Sequence, residues 1–492
     1  MSVSQATSRL SGMVDGRPDI CGRWDELESA APARDPVYRD ETDIDLDRVE
    51  AACALALHMH QPTIPAGGDD VRTAELIGHL QYMSEHPDEG DNHNATVFAS
   101  CYERIGEFIP QLVNEGRSPR IMLDYSGNLL WSLEQMGRGD ILDKLAGVTC
   151  DRRYRRHVEW LGTMWSHAVA SSTPPADIAL HVRAWQQHFA SIFGRQALAR
   201  VRGFSPPEMH LPNDPDVAYA YVETLLEAGY QWLMVQEHTV ENLDGTGIRR
   251  PHLPHRLIAR NSDGQTLSIT ALIKTQGSDN KLVAQMQPLA EARTLSRSAY
   301  GGLGGIEIPP LVTQIGDGEN GGVMMNEFPP GYLGGVRSVG RQGAVLLNGT
   351  EYLELIEAAG VKPEDHIPIQ PIHQHAVWSR LKGSGREAVE RAAEAASRQV
   401  PNFHLDGGSW TNNISWVQGY EGVLDPMNRL SADFHEKLDG RSIDTNSPAY
   451  RDALLHLLCS QTSCFRYWGQ GRWTEYAREI CRRGSEILQR DF

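Results

Sequence analysis

The chain has no apolar run near the eighteen or so residues that a membrane-crossing helix needs; its richest early stretch, Ala51 to Leu57, is far too short. The opening residues, MSVSQATSRLSGMVDGRPD, are polar and lack the apolar segment of a secretory signal, so no membrane association and a cytoplasmic location are expected. Positive charge is also short. With 46 Lys and Arg against 64 Asp and Glu, the formal net charge is -18, the wrong sign for neutralising phosphate, and nucleic acid is not an expected partner. Cys21, Cys53, Cys101, Cys150, Cys459, Cys464 and Cys481 are odd in number and form no C-x-x-C pair. They read as reduced, mostly buried thiols, with neither a disulfide framework nor a zinc cage. No Gly-Lys pair occurs anywhere, which rules out a P-loop; H-E-x-x-H and G-x-S-x-G are missing, and Gly301-Gly-Leu-Gly-Gly305 does not match G-x-G-x-x-G. Nucleotide binding and serine hydrolysis fall away, and no cofactor is expected.

What remains is an ordinary globular composition, 40% hydrophobic and 22% charged, with ample material for a core. Residues 1–45, rich in Ser, Asp, Arg and Pro, read as a surface arm, partly disordered. From Val49 onward short apolar runs alternate with longer amphipathic stretches, the pattern of an α/β architecture. One unit is explicit. Asn213 or Asp214 can cap a helix with Pro215 at its first position, Val217 to Ala228 carries that helix, Gly229 ends it, and Tyr230 to Val235 follows as a buried strand. In such units the loops after the strands carry chemistry, so Glu208, Glu237 and His238 are expected to face one cleft. After Asp406 the text turns helical, with Ser447-Pro448 as a helix start before Tyr450 to Ser460. The expected organisation is a barrel over 46–339 and a mainly helical region over 340–492 packed on it.

His58-Met-His-Gln-Pro62 closes the run Ala51 to Leu57, and the period of a strand puts His58 and His60 on one face with Met59 on the other. Two imidazoles there suit a metal, a polyhydroxylated ligand, or simply a satisfied core. His373-Gln-His375 repeats the alternation and could join them in a metal site. Glu208 stands among Pro206, Pro207 and Pro212, which restrict the backbone and fix where the carboxylate points; a solvated loop residue is the plainer alternative. Asp317, in Gly316-Asp-Gly-Glu-Asn-Gly-Gly322, is either an acidic turn or a carboxylate approached closely by ligand, and the ligand spacing of an EF-hand is not met. Two carboxylates at strand ends, one ionised and one protonated, are the minimum for acid/base cleavage of a glycosidic bond. Trp410, Trp416, Trp468 and Trp473 supply aromatic faces, each a sugar platform or a core residue.

Taken together, His58-Met-His-Gln-Pro62, Glu208 after a G-F-x-P-P run, Asp317 in D-G-E-N, and Gln461-Thr-Ser-Cys-Phe-Arg-Tyr-Trp468-Gly resemble glycoside hydrolase family 57. Their order and spacing match from about 50 to 480, and Asp124-Tyr-Ser-Gly-Asn-Leu-Leu130 and Gly162-Thr-Met-Trp-Ser-His167 resemble intermediate segments. The resemblance implies an irregular seven-stranded (β/α) barrel followed by a helical region, acting on α-linked glucans with retention of configuration. It implies Glu208 as nucleophile and Asp317 as acid/base. It places His58 and His60 on the floor of the sugar cleft, His238 near the nucleophile and Trp468 at the C-terminal wall, with Gln61 and, more weakly, Trp410 as further substrate-binding candidates. Two departures bear on substrate: Phe204-Ser-Pro-Pro precedes the glutamate where many members have a large residue such as tryptophan, and Cys464 stands where a polar residue is common. Two other readings compete. One is a metal-dependent carbohydrate deacetylase, which the H-x-H favours and the lack of an Asp-Asp pair with H-x-x-x-H opposes. The other is a non-catalytic sugar-binding protein, which the presence of both carboxylates opposes.

Overall fold

The structure, a computed structural model, describes residues 10–28, 35–275, 281–319, 326–410, 417–467 and 471–492. Seven parallel strands close on themselves: β1 (Val49–Met59), β2 (Ile121–Tyr125), β3 (Val158–Gly162), β4 (Gly203–Phe204), β5 (Trp232–Gln236), β6 (Thr266–Lys274) and β7 (Leu311–Asp317). Each pairs with the next, and β7 returns to β1 in the register Leu311↔Ala52 through Asp317↔His58. Both faces of β1 are buried from Ala51 onward, which is why it reads as a continuous apolar run. Alternation still sorts its side chains. Ala52, Ala54 and Ala56 join Met122, Leu161, Met234, Leu272 and Ile315 inside the barrel. Leu55, Leu57 and Met59 face outward into the core shared with the helices. Small residues on β1 leave room for the larger ones across a narrow interior.

Helices α1 (Ala95–Asn114), α2 (Gly127–Gln135), α3 (Pro175–Phe193) and α4 (Pro215–Glu227) connect successive strands on the outside. The predicted start of α4 is observed: the Asp214 side chain accepts hydrogen bonds from the amides of Asp216 and Val217, and Pro215 occupies the first turn. Below the barrel, α5 (Gly349–Ala358) begins at Asn348 with a capping box closed by Glu351. Glu351 holds the buried Arg120 guanidinium in a two-pronged contact at 2.7 and 2.8 Å, and Asp43 pairs with the same guanidinium at 2.9 Å. The amides of Val37, Tyr38 and Arg39 all donate to the Glu354 carboxylate at 2.7–2.8 Å, so the arm from 35 to 45 is seated against the strand N-termini.

The C-terminal region is carried by α6 (Glu421–Leu438), α7 (Pro448–Ser460) and α8 (Arg472–Asp491), with Ser447 capping α7 through the Tyr450 amide. These helices share the large outer core with the barrel helices. Just past α7, Gln461 pairs with His181 of α3 at 2.7 Å and donates to Asp177 at 2.5 Å, pinning the following segment over the C-terminal mouth of the barrel. No helix among the described residues is long and apolar enough to cross a membrane. All seven cysteines are unpaired, and all but Cys150 are buried.

Candidate active site

Inside the barrel the apolar layer of Ala56, Met122, Met234, Leu272 and Ile315 gives way, two residues further along each strand, to His58, Asp124, Gln236, Lys274 and Asp317. The same period of two that built the core therefore delivers five polar side chains to one mouth. His58 and Asp124 are directly paired in register, and His58 Nδ1 lies 2.9 Å from Asp124 Oδ2. Burial opposes a charge on His58, yet Asp124, Asp317 and Glu319 outweigh it and raise its pKa to about 9. Around neutrality His58 is an imidazolium.

His167, delivered by the loop after β3, stacks between the other two imidazoles, with ring centroids 4.5 Å from His58 and 4.3 Å from His60. Burial and the neighbouring imidazoles hold His60 and His167 well below the usual histidine range, so one charge sits in a stack of three rings. The orientation of each neutral ring is fixed by hydroxyls. His60 Nδ1 pairs with Ser126 Oγ at 2.7 Å and its Nε2 lies 3.3 Å from Thr462 Oγ1, while His167 Nδ1 pairs with Ser463 Oγ at 2.8 Å. Thr462 and Ser463 come from the segment that Gln461 pins. The backbone reinforces the join through an antiparallel bridge between Ala168 and Thr462.

Glu208 follows β4 in a single turn of 3-10 helix whose prolines force the chain over the mouth. Its φ is +58°, and Met209 at +48° and His167 at +62° share that left-handed region. Such a conformation costs a non-glycine residue about 1 kcal/mol or more and survives where the surroundings over-determine it. Here the Glu208 carbonyl accepts from the Trp410 amide at 3.2 Å, and Leu211 bridges to Gly408. Gly407 is required at this join: at φ +80° a Cβ would lie 2.0 Å from the His210 ring. The Glu208 side chain is 6% exposed; its Oε1 lies 3.7 Å from His167 Nδ1, and its Oε2 has no hydrogen-bond partner among the described residues. Burial first, then the charge of Asp317, push its pKa up to about 7, with His58 pulling the other way. The charge of Asp317 thus opposes ionisation of Glu208 across the mouth.

Asp317 ends β7, and Gly318 turns the chain directly over β1, donating to the His58 carbonyl at 2.7 Å. A Cβ on Gly318 would meet the end of the Met59 side chain at 2.0 Å, so the turn packs closely on β1. Glu319 accepts from the His60 amide at 2.6 Å; burial raises its pKa to about 8, His58 opposing and Asp317 adding.

Of the residues singled out from the sequence, His58, His60, Glu208 and Asp317 meet at this mouth. Gln61 sits beside it, its amide oxygen 3.1 Å from His79 Nδ1. His238, half-buried, pairs through Nε2 with the Ser409 carbonyl, next to Trp410, which is itself linked to Glu208. Trp468 and Trp416 lie outside the described residues. His373 and His375 do not join His58 and His60: their amides donate to Glu241 and the His373 ring packs on Phe403 and His404. No group of three His, Cys, Asp or Glu side chains among the described residues is arranged to hold a metal ion. Asp124, His167, Glu319 and Lys274 complete the mouth without having been singled out. The first three stand inside segments already set apart in the sequence. Lys274 carries a weaker signal, a lone cation closing an otherwise uncharged run from Thr266.

No protein-family profile and no curated protein matches the sequence. Among solved structures, the fold is similar to the 4-alpha-glucanotransferase of Thermococcus litoralis, at 15% identity and a TM-score of 0.53, over 90% of this chain and 60% of that one. It is similar also to a GH57-type branching enzyme of Pyrococcus horikoshii, at 12% identity and a TM-score of 0.52, over 89% and 88%. The chain spans three-fifths of the glucanotransferase. At such identities the likeness establishes the fold, a closed seven-stranded (β/α) barrel with a helical C-terminal region.

Proposed function

We propose that the protein is an enzyme of the glycoside hydrolase family 57 type, a retaining hydrolase or transglycosylase acting on α-linked glucans, with Glu208 as nucleophile and Asp317 as acid/base. The observation that carries this reading is the pair of carboxyl groups at the barrel mouth, Glu208 strained and buried, its Oε2 without a hydrogen-bond partner among the described residues and its ionisation opposed by Asp317. The sequence motifs and the fold shared with α-glucan-active enzymes point the same way.

The chemistry assigns each group a task. In the first step a Glu208 oxygen attacks the anomeric carbon, the glycosidic C–O bond breaks, and the Asp317 proton passes to the departing oxygen. In the second, ionised Asp317 takes a proton from water or a sugar hydroxyl, which attacks the same carbon and releases Glu208. The first step needs Glu208 ionised and Asp317 protonated. The His58 imidazolium, held by Asp124, favours the ionised form of Glu208. His60, Gln61 and His238 offer polar edges for sugar hydroxyls, and Trp410 offers a face beside the nucleophile.

Incubation of the protein with maltooligosaccharides and amylose, with products resolved by length and reducing ends, tests the reading. New reducing ends identify a hydrolase, and redistributed lengths at constant reducing ends identify a transferase. No change in any α-glucan contradicts the assignment.

A further inference from the structure

The tie between the helical region and the mouth runs through a carboxylate that the scheme above leaves without a task. Asp177, in the first turn of α3, is fully buried, and each of its oxygens has its own donor: Oδ2 accepts from the Gln461 amide at 2.5 Å, and Oδ1 accepts from Nε2 of His435, in the last turn of α6, at 2.7 Å. The Gln461 amide oxygen faces His181 Nε2 at 2.7 Å, and burial holds the His181 pKa down to about 4, so a neutral ring donates there and the amide has a single orientation. His435 Nδ1 lies 2.9 Å from Asp439 Oδ2. With a carboxylate at each nitrogen the ring donates twice and is an imidazolium, its pKa raised by Asp177 first and by Asp439 after it.

What this tie holds is the nucleophile's neighbour. Ser463, two residues beyond Gln461, grips His167 twice: its amide donates to the His167 carbonyl at 3.1 Å, and its hydroxyl pairs with Nδ1 at 2.8 Å. His167 needs such a grip, since its backbone is left-handed, and its Nδ1 lies 3.7 Å from Glu208 Oε1. A continuous series of contacts therefore runs from α6 through Asp177, Gln461 and Ser463 to the edge of Glu208. We propose that Asp177 is a positioning residue for the proposed reaction: by tying Gln461 to His435 it holds Ser463 against His167 and fixes the imidazole stack beside the nucleophile. The proposal rests on the reading of Glu208 as nucleophile. A carboxylate suits the place because two donors converge on it from separate elements, and a mismatch of donors is costly where no water can absorb it. A stack displaced from Glu208 disturbs alignment more than affinity, so kcat suffers and KM changes little.

The test is a set of exchanges read by kcat and KM on a maltooligosaccharide, with the melting midpoint of each variant measured alongside. Gln461→Glu sets two carboxylates against each other and is expected to lower kcat by about 10–100-fold at nearly constant KM. Asp177→Asn combined with Gln461→Glu restores a matched set, in which the new amide accepts from His435 and donates to the new carboxylate, and most of kcat is expected to return. His435→Leu, a change at the partly exposed end of α6, removes the outer donor and is expected to lower kcat in the same sense, whereas His435→Gln still donates to Asp177 and keeps it. Variants with lower melting midpoints but the kcat of the wild type, or a double variant no better than Gln461→Glu, overturn the proposal and leave Asp177 a structural link only. If the wild type acts on no α-glucan, the proposed function fails separately. The tie is then judged by the imidazole NMR signals of His167: signals displaced in Gln461→Glu and restored in the double variant support it, and signals that do not move overturn it.

Discussion

At the scale of single residues the site is defined by groups that must differ in charge although they are of the same kind. Glu208, Asp317 and Glu319 compete for protons within one mouth, while His58 alone of three stacked imidazoles is charged. Replacing Glu208 by Gln removes the nucleophile and preserves shape, so turnover is expected to fall by several orders of magnitude with an unchanged melting midpoint, read by rate and calorimetry. Asp317→Asn is expected to lose about 10²–10⁴-fold on maltooligosaccharides and far less on an activated aryl glycoside, which separates proton donation from nucleophilic attack. His58 carries a stability consequence whose sign follows from its direction. Its folded pKa, about 9, lies above the ordinary histidine value, so its ion pair with Asp124 is fully stabilising below about 6.5 and fades as pH rises toward 9. Glu208 and Glu319, also raised, tilt the same way. Lys274, held down to about 7 by burial, tilts the other way above pH 7, so the test is a difference: between pH 6.5 and 9 the melting midpoint of the wild type is expected to fall relative to that of Asp124→Asn, and equal slopes in the two proteins contradict the assignment of charge to His58.

Elements were legible where local chemistry decides them. Asp214-Pro215 and Ser447-Pro448 are start signals that need no tertiary context, and both helices begin there. The alternation that puts His58 inside and Met59 outside follows from the strand alone. What the sequence could not disclose is which polar residues of different strands share a layer, because that depends on register between segments 38 to 66 residues apart. Asp124 opposite His58 and Lys274 opposite Gln236 are facts of pairing. His167 was hidden for another reason: its stacking depends on a left-handed backbone position that no residue preference announces. The caps offer an independent check at this scale. Ser447→Ala deletes one hydrogen bond at the start of α7 and is expected to cost about 1 kcal/mol in urea denaturation, leaving the activity of the folded protein unchanged.

In the whole molecule the two ends of the barrel do different work. The mouth gathers strain and uncompensated protonation, whereas the opposite end is held by the buried pair Arg120 and Glu351 with the half-buried Asp43, and by the arm seated on Glu354. Arg120→Met leaves the buried Glu351 carboxylate without its cation, while Asp43 keeps Arg341 at 2.9 Å, and is expected to cost about 3–5 kcal/mol in denaturant unfolding. Specific activity should persist wherever the variant remains folded, since no group of the mouth touches Arg120. The C-terminal helices belong to the mouth through Gln461, Thr462 and Ser463, so the catalytic proposal concerns barrel and helical region together. Its central statement, that Glu208 forms a bond to the sugar, is open to direct weighing. Asp317→Asn treated with an α-maltosyl fluoride, a donor that needs no acid, is expected to accumulate a maltosyl-enzyme visible in the intact mass, with the added mass on the peptide containing Glu208. Turnover of the fluoride with no adduct, or an adduct on any other residue, would contradict the account.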